Sequence, residues 1–360
     1  ESSNLIIDLK RVLGSLNVCS KETFVRMYDH EVQGQSVLKQ FQGVSDDGPG
    51  DAGVIRPLLD STIGIAIACG ICPKYSDIDT YAMMACAIDE AVRNLICVGV
   101  PLGRIAGLDN FCWPDPILSD KNPDGEFKLA QLVRCCEALF NVCTAYKIPL
   151  ISGKDSMKND YRIGEMKISI PPTVLFSAVG FIDDVRHVIS MDFKKPGDII
   201  YLLGNTKSEM GGSEYLALFG NSLATAPEVD VVLNKRLYEA LHQAMRAGYV
   251  ASCHDCSDGG LGVALAESAF AGGYGFDVDL NAVPAENDTV VMFSESAGRF
   301  VVTVPKEHAS DFEKLFISLP FFRLGEVSGS SLAGFKGRDG VSAKVEIGEL
   351  KDAWQRPLRW

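Results

Sequence analysis

The sequence predicts an α/β chain folded as two domains. Three observations carry this. At 360 residues the chain is longer than a single core usually spans. Segments with helical apolar spacing alternate with short apolar runs of strand length. The turn Lys194-Lys195-Pro196-Gly197-Asp198 breaks the chain near its middle.

From the N-terminus, Leu5, Ile6, Leu9, Val12, Leu13 and Leu16 recur at helical spacing and predict a helix over 4–18. Ser20 caps a second short helix from about residue 21. Residues 46–53 form a Gly/Asp-rich loop, and 54–58 and 63–68 read as strands. A helix dense in Ala and Met covers 79–98. The strand 104–108 runs into a loop over 109–116. A long helix at 128–146 precedes strands at 149–152 and 173–182. Beyond the turn, 199–203 begins a new sheet. Helices at 235–247 and 262–271 then alternate with strands at 276–280, 299–304 and 322–327. The boundaries that result are a helical lead-in (1–29), domains at 30–185 and 186–350, and a tail (351–360). No short-period repeat or low-complexity stretch interrupts them.

Composition narrows the function. The balance of 47% hydrophobic and 22% charged residues is that of an ordinary globular protein. A net charge of −13 argues against nucleic-acid or anionic-membrane surfaces, since no basic field draws phosphates in. A small phosphate ligand held by Mg²⁺ and backbone amides stays compatible with it. No apolar run reaches membrane-spanning length and no signal-peptide pattern opens the chain, so a cytoplasmic location is expected. The first residue is Glu1, not Met, which points to a processed chain or a piece cut from a longer one. Eleven irregularly spaced cysteines fit reduced thiols, not a disulfide scaffold. Two C-x-x-C pairs, Cys69/Cys72 and Cys253/Cys256, can be drawn with His254 as a zinc site. Their separation and the acidic, Gly-rich setting of the second pair argue against it.

The chemistry concentrates at Cys253-His254-Asp255-Cys256-Ser257-Asp258-Gly259-Gly260-Leu261-Gly262. Two carboxylates and a hydroxyl precede two glycines and an apolar helix. Ser257 or Asp258 is placed to cap that helix. Acids beside free helix N–H groups suit Mg²⁺ and phosphate, and the absent Walker lysine excludes a P-loop. A capped turn with solvated acids is the bland alternative. Glu90 and Asn94 lie i, i+4 on a largely apolar helix, so both oxygens share one face. Gly50 and Asp51 sit in the Gly-rich loop, where a plain turn explains them equally well alone. Asp109 and Asn110 end a strand, as ligand contacts often do. Ser152, Gly153, Lys154 and Ser156 follow another strand and suit a phosphate or oxyanion. Gly211-Gly212-Ser213-Glu214 reads as a tight turn opening a helix. No Ser-His-Asp triad or nucleophile elbow is present, and no catalytic residue is assigned.

Taken in order, Asp-Glu-Ala-Val-Arg-Asn (89–94), Asp-Asn-Phe (109–111), Ser-Gly-Lys-Asp-Ser-Met (152–157), Gly-Gly-Ser-Glu (211–214), His-Asp-Cys-Ser-Asp-Gly-Gly-Leu (254–261) and Phe-Ser-Glu-Ser (293–296) resemble the second half of the phosphoribosylformylglycinamidine synthase family. That family belongs to the superfamily of aminoimidazole ribonucleotide synthetase. The resemblance covers nearly the whole chain. It implies a two-domain unit whose N-terminal domain contributes strands to an interface barrel and whose C-terminal domain is α/β. It also implies part of an ATP-dependent C–N ligase of purine biosynthesis. Formylglycinamide ribonucleotide is the implied substrate, ATP or ADP and Mg²⁺ the cofactors, and a first synthetase half and a glutaminase domain or subunit the partners. Asp51, Glu90, Asn94 and Asp255 match Mg²⁺ positions, and Gly50 and Ser257 match contacts to an auxiliary nucleotide. Asp109, Gly153 and Ser156 match positions facing the working site, Ser156 toward substrate. Where the short bacterial form has a magnesium-binding Asn, this chain has Lys154, which cannot ligate a cation and is expected to contact phosphate. The family's catalytic histidine and glutaminase cysteine are unmatched, so the chain alone is expected to be inactive. A nucleotide-propped structural module and a stand-alone homodimeric relative are the alternatives, and the fragment is a possible homodimer.

Overall fold

The computed structural model describes residues 4–28, 30–31, 33–220, 224–338, 340 and 342–360. Residues 1–3 and 29 of the expected lead-in therefore lie outside the described residues. Two short helices lead in, α1 (Leu5–Leu13) and α2 (Glu22–Val25). Then follow β1 (Ser36–Leu38), β2 (Gly53–Ile55), β3 (Gly64–Gly70), α3 (Thr80–Cys97), β4 (Ile105–Cys112), α4 (Gly125–Tyr146), β5 (Leu150–Ser156), β6 (Asp160–Ile163), β7 (Met166–Ser169) and β8 (Thr173–Ile182). The second half holds β9 (Ile199–Leu203), α5 (Glu214–Phe219), α6 (Val231–Arg246), β10 (Ser252–Asp255), α7 (Gly260–Gly272), β11 (Phe276–Asp279), α8 (Asp288–Phe293), β12 (Phe300–Val304), α9 (Ala309–Phe316), β13 (Phe321–Val327), β14 (Leu332–Lys336), β15 (Ser342–Glu346) and α10 (Ile347–Gln355).

The first sheet runs β1-β2-β3-β8-β4-β5 and is antiparallel except for the β4–β5 pair. Strand alternation gives it two unlike faces. Ala66, Ala68, Val174, Phe176 and Ala178 are buried on the side of α3 and α4. The alternate residues, Ile67 and Phe181 among them, are 56% and 42% exposed on the other. The sheet does not close into a barrel within this chain, so that apolar face stays bare among the described residues. A bare face of this kind is what strands shared in an interface barrel require.

The second sheet runs β10-β12-β9-β13-β11-β14-β15. β9 and β12 are buried on both faces. One face packs in a core shared with α3, α4, α6 and α9; the other packs against α1, α7, α8 and α10. The long helix α3 touches both β3 and β10, which brings its polar residues to the joint between the two layers.

Several elements differ from expectation; the helix expected over 4–18 ends at Leu13, and the strand expected over 54–58 ends at Ile55. The predicted loop at 109–116 is strand as far as Cys112, because β8 and β5 flank it and take its backbone hydrogen bonds. β5 likewise runs through Gly153 and Lys154 to Ser156. The start of the expected tail lies inside α10, whose Leu350 and Trp354 are buried with Phe270 and α1.

Candidate functional site

α7 starts on two consecutive glycines, Gly259 and Gly260, both left-handed at φ of 80° and 69°. That geometry leaves no side-chain cap, so the expectation that Ser257 or Asp258 caps the helix is corrected. Glu295 instead anchors the residue just before the helix. Its Oε1 accepts from Gly259 N at 2.8 Å and from Glu214 N at 2.8 Å, and its Oε2 accepts from Tyr75 Oη at 2.9 Å. Asp258 stays at the mouth of the site. Its side chain is exposed, yet the protein crowded round it displaces water and, with Glu214 nearby, pushes its carboxyl up to about 6.

β10 and the loop before β2 bring Asp51, His254 and Asp255 together. Their ligand atoms lie within 4.8 Å of one another, the one such group of three among the described residues. Asp51 Oδ1 faces His254 Nδ1 at 2.7 Å and accepts from Asp255 N at 3.2 Å. The far ring nitrogen of His254 faces Glu267 Oε2 at 2.9 Å. Burial opposes charge on this imidazole, but Asp51 and Glu267 hold its pKa well above the ordinary value. The C-x-x-C pairs make no such group; Cys253 Sγ lies 3.6 Å from Cys97 Sγ in the core.

α3 supplies the opposite wall. Glu90 Oε2 accepts from Ile71 N at 3.0 Å, and Asn94 Nδ2 donates to Cys69 O at 3.4 Å. Burial and then Asp258 and Asp255 push Glu90 up to about 8. Asp255 is pushed up to about 6 by burial, with Arg93 opposing and Asp51 adding to the rise. Arg93 lies between Asp89 and Asp255, donating to the latter at 3.3 Å. Asp89 is fully buried. It also accepts from Tyr146 at 2.7 Å, Tyr238 at 2.6 Å, Asn234 at 3.1 Å and Gly298 N at 3.2 Å.

Cys72, Tyr75, Glu90, Arg93, Ser257 and Glu295 help line a cavity of about 20 Å³ between these walls. That volume suits a water or a bare ion, not a nucleotide, which would have to lie across the mouth. The donors are hard oxygens, and burial first, then crowded negative charge, raises Glu90 and Asp255. Both facts fit Mg²⁺.

A second group stands apart, on the β4–β5 edge. Asp109 pairs in register with Gly153. A Cβ at Gly153 would sit 2.8 Å from Asp109 Oδ1, so only glycine leaves that carboxylate undisturbed. Burial, then Asp155, raises the Asp109 pKa. Ser156 Oγ bonds Asn159 Oδ1 at 3.3 Å. No hydrogen bond or ion pair joins this group to the acidic cavity among the described residues. The structure thus ties Asp51 to Asp255 and Asp255 to Ser257, with Glu90 in electrostatic reach of Asp255, Asn94 one turn further along α3 and Gly50 next to Asp51; Asp109, Gly153 and Ser156 lie in another place.

Sequence reasoning assigned no role to Glu295, Tyr75, Arg93, Asp89 or Glu267. Phe-Ser-Glu-Ser marked Glu295, and Arg93 stood in a quoted motif. Tyr75 and Glu267 carried no local signal.

Comparison with known proteins defines the class. The family model for the N-terminal domain of AIR synthase related protein matches residues 49–182, and the model for its C-terminal domain matches 195–336. The chain belongs to the AIR synthase related family. More particularly, it is 36% identical over 364 residues to phosphoribosylformylglycinamidine synthase subunit PurL of Alkaliphilus metalliredigens, covering 100% of this chain and 46% of that protein. The same subunit of Methanocaldococcus jannaschii is 35% identical over 330 residues, 90% of this chain and 42% of that one. The chain therefore spans about half the length of the curated relatives it matches. Among solved structures, T. maritima PurL complexed with FGAR aligns with a TM-score of 0.74 at 18% identity, covering 99% of this chain and 54% of that one. A chain of the HypE-HypF complex aligns with a TM-score of 0.63 at 16% identity, covering 91% and 98%. No helix among the described residues is long and apolar enough to cross a membrane.

Proposed function

We propose that this chain is the second synthetase half of a phosphoribosylformylglycinamidine synthase. The observation that carries this is the match of its whole length to about half of PurL at 36% identity. The assembled enzyme converts formylglycinamide ribonucleotide to the amidine. ATP phosphorylates the substrate amide oxygen, and ammonia released from glutamine displaces the phosphate. This chain divides into synthetase-like domains at 30–185 and 186–350.

Two sites follow from the two groups of residues. Asp51, Glu90, Asn94 and Asp255 hold Mg²⁺, with Gly50 and Ser257 against an ADP or ATP that is bound and not consumed. The support is the crowded oxygen set, in which a divalent cation would relieve the raised pKa values of Glu90 and Asp255. Asp109, Gly153 and Ser156 face the working site, the first two toward ATP and Ser156 toward substrate. Mg²⁺ there would stabilise charge on the transferring phosphoryl group. The bare face of the first sheet packs on the first synthetase half, and a glutaminase domain or subunit supplies ammonia, all in the cytoplasm.

The test is amidine formation with ATP and ammonia, by the 360-residue chain alone and with the first half added. Turnover is expected only with both. A stand-alone homodimer using ATP on another substrate is the second reading. It is favoured by the match to a chain of nearly equal length in the HypE-HypF complex, and ATP turnover by this chain alone, as a dimer and without amidine formation, would establish it.

A further inference from the structure

We infer that Glu267 and His254 are a positioning pair for Asp51, fixing the carboxylate that holds the cation. This rests on the reading of the acidic cavity as a Mg-nucleotide site. Asp51 lies in a loop outside any helix or strand, which by itself would leave its side chain free to rotate. Its side chain is nonetheless only 2% exposed. Both of its hydrogen bonds fall on Oδ1, from His254 Nδ1 at 2.7 Å and Asp255 N at 3.2 Å. Oδ2 takes no donor among the described residues. One oxygen is thus anchored and the other is left for a ligand.

The anchor itself is braced. His254 is held at its other nitrogen by Glu267 Oε2 at 2.9 Å, and Glu267 projects from the body of α7. A ring clamped at both nitrogens cannot flip, and the carboxylate on Nε2 decides which nitrogen is presented to Asp51. The line runs from a rigid helix of the second layer, through β10, to a loop of the first. Glu267 is not one of the converging group Asp51, His254 and Asp255. It therefore acts only through His254, which separates it from a direct ligand.

The test measures the Mg²⁺ dependence of ADP binding to the 360-residue chain by calorimetry, alongside metal-free melting followed by circular dichroism. Outer partners of metal ligands typically change metal affinity by about 10- to 100-fold. Glu267→Ala should raise the half-saturating Mg²⁺ concentration by about that factor, with ADP affinity at saturating Mg²⁺ little changed. Glu267→Gln keeps an acceptor for His254 and should restore most of the loss. If Glu267→Ala does not fold, His254→Gln decides, and it should move the Mg²⁺ midpoint in the same direction. Lowered melting temperatures with an unmoved midpoint mean the pair is only structural, and the inference fails. A Mg²⁺ midpoint that moves in Asp51→Asn but stays in place in Glu267→Ala overturns this inference while the nucleotide site stands. No Mg²⁺-dependent ADP binding by the unaltered chain overturns both.

Discussion

Asp89→Asn replaces one oxygen at the centre of the buried hub and should destabilise the chain by about 3 kcal/mol. In the unaltered protein, Oδ2 accepts from Arg93 and from Gly298 N, while Oδ1 accepts from Tyr146, Tyr238 and Asn234. The new amide points N–H groups at Arg93 and Gly298 N, donors against donors. Flipping the amide only moves the conflict to Asn234. Arg93 also loses its main charge partner in a buried site. Breaking a buried ion pair costs roughly 3–5 kcal/mol, and the remaining contact with Asp255 at 3.3 Å keeps the loss near the lower end. For domains of this size that is a fall of roughly 6–12 °C in Tm. Urea denaturation followed by circular dichroism measures it. Asp89→Asn combined with Arg93→Met should cost less than the sum of the two single changes, as expected of groups sharing a bond. A loss under about 1 kcal/mol for Asp89→Asn would refute the hub as the tie between α3, α4 and α6.

Other expectations are as specific. Glu295 is pushed from 4.5 up to about 8 by burial and by Asp258, so the folded chain holds its proton more tightly than the unfolded one. Its contribution to stability is full below about pH 4.5 and is lost as pH rises through about 8. The metal-free melting temperature should therefore fall from pH 5 to pH 8, and Glu295→Gln should flatten part of that fall; an unchanged slope would count against it. Trp354→Ala removes a buried ring that packs on Phe270 and donates to Val18 O at 2.9 Å, and should cost about 3–5 kcal/mol in urea denaturation. Gly153→Ala places a methyl 2.8 Å from Asp109 Oδ1. It should lower kcat of the enzyme assembled with its first half by about 10- to 100-fold. ADP binding by the chain alone should not change, since the two groups of residues are separate.

What was legible in the sequence was local. Glu90 and Asn94 declared themselves because an i, i+4 spacing on an apolar helix puts them on one face of α3. Asp255 stood beside the glycines that open α7, and the run 173–182 read as the strand that β8 is. The misses depend on distant partners. Glu295 anchors the residue just before α7, 36 residues away, and meets Tyr75 across 220. Arg93 finds Asp255 across 162. Asp109 and Asn110 have poor strand propensity, and only the flanking ladders of β5 and β8 hold them extended. The tail expected at 351–360 is helix at its start, because Leu350, Ala353 and Trp354 recur at helical spacing and bury α10.

The central claim is that the acidic turn before α7 and the Glu90/Asn94 face of α3 form one Mg-nucleotide site. Calorimetric titration of ADP into the 360-residue chain tests it most directly. Binding should appear with Mg²⁺, vanish on chelation, and weaken at least about tenfold in Asp255→Asn, which loses one charged ligand. An absence of binding, or binding indifferent to Mg²⁺ and to Asp255→Asn, would contradict it.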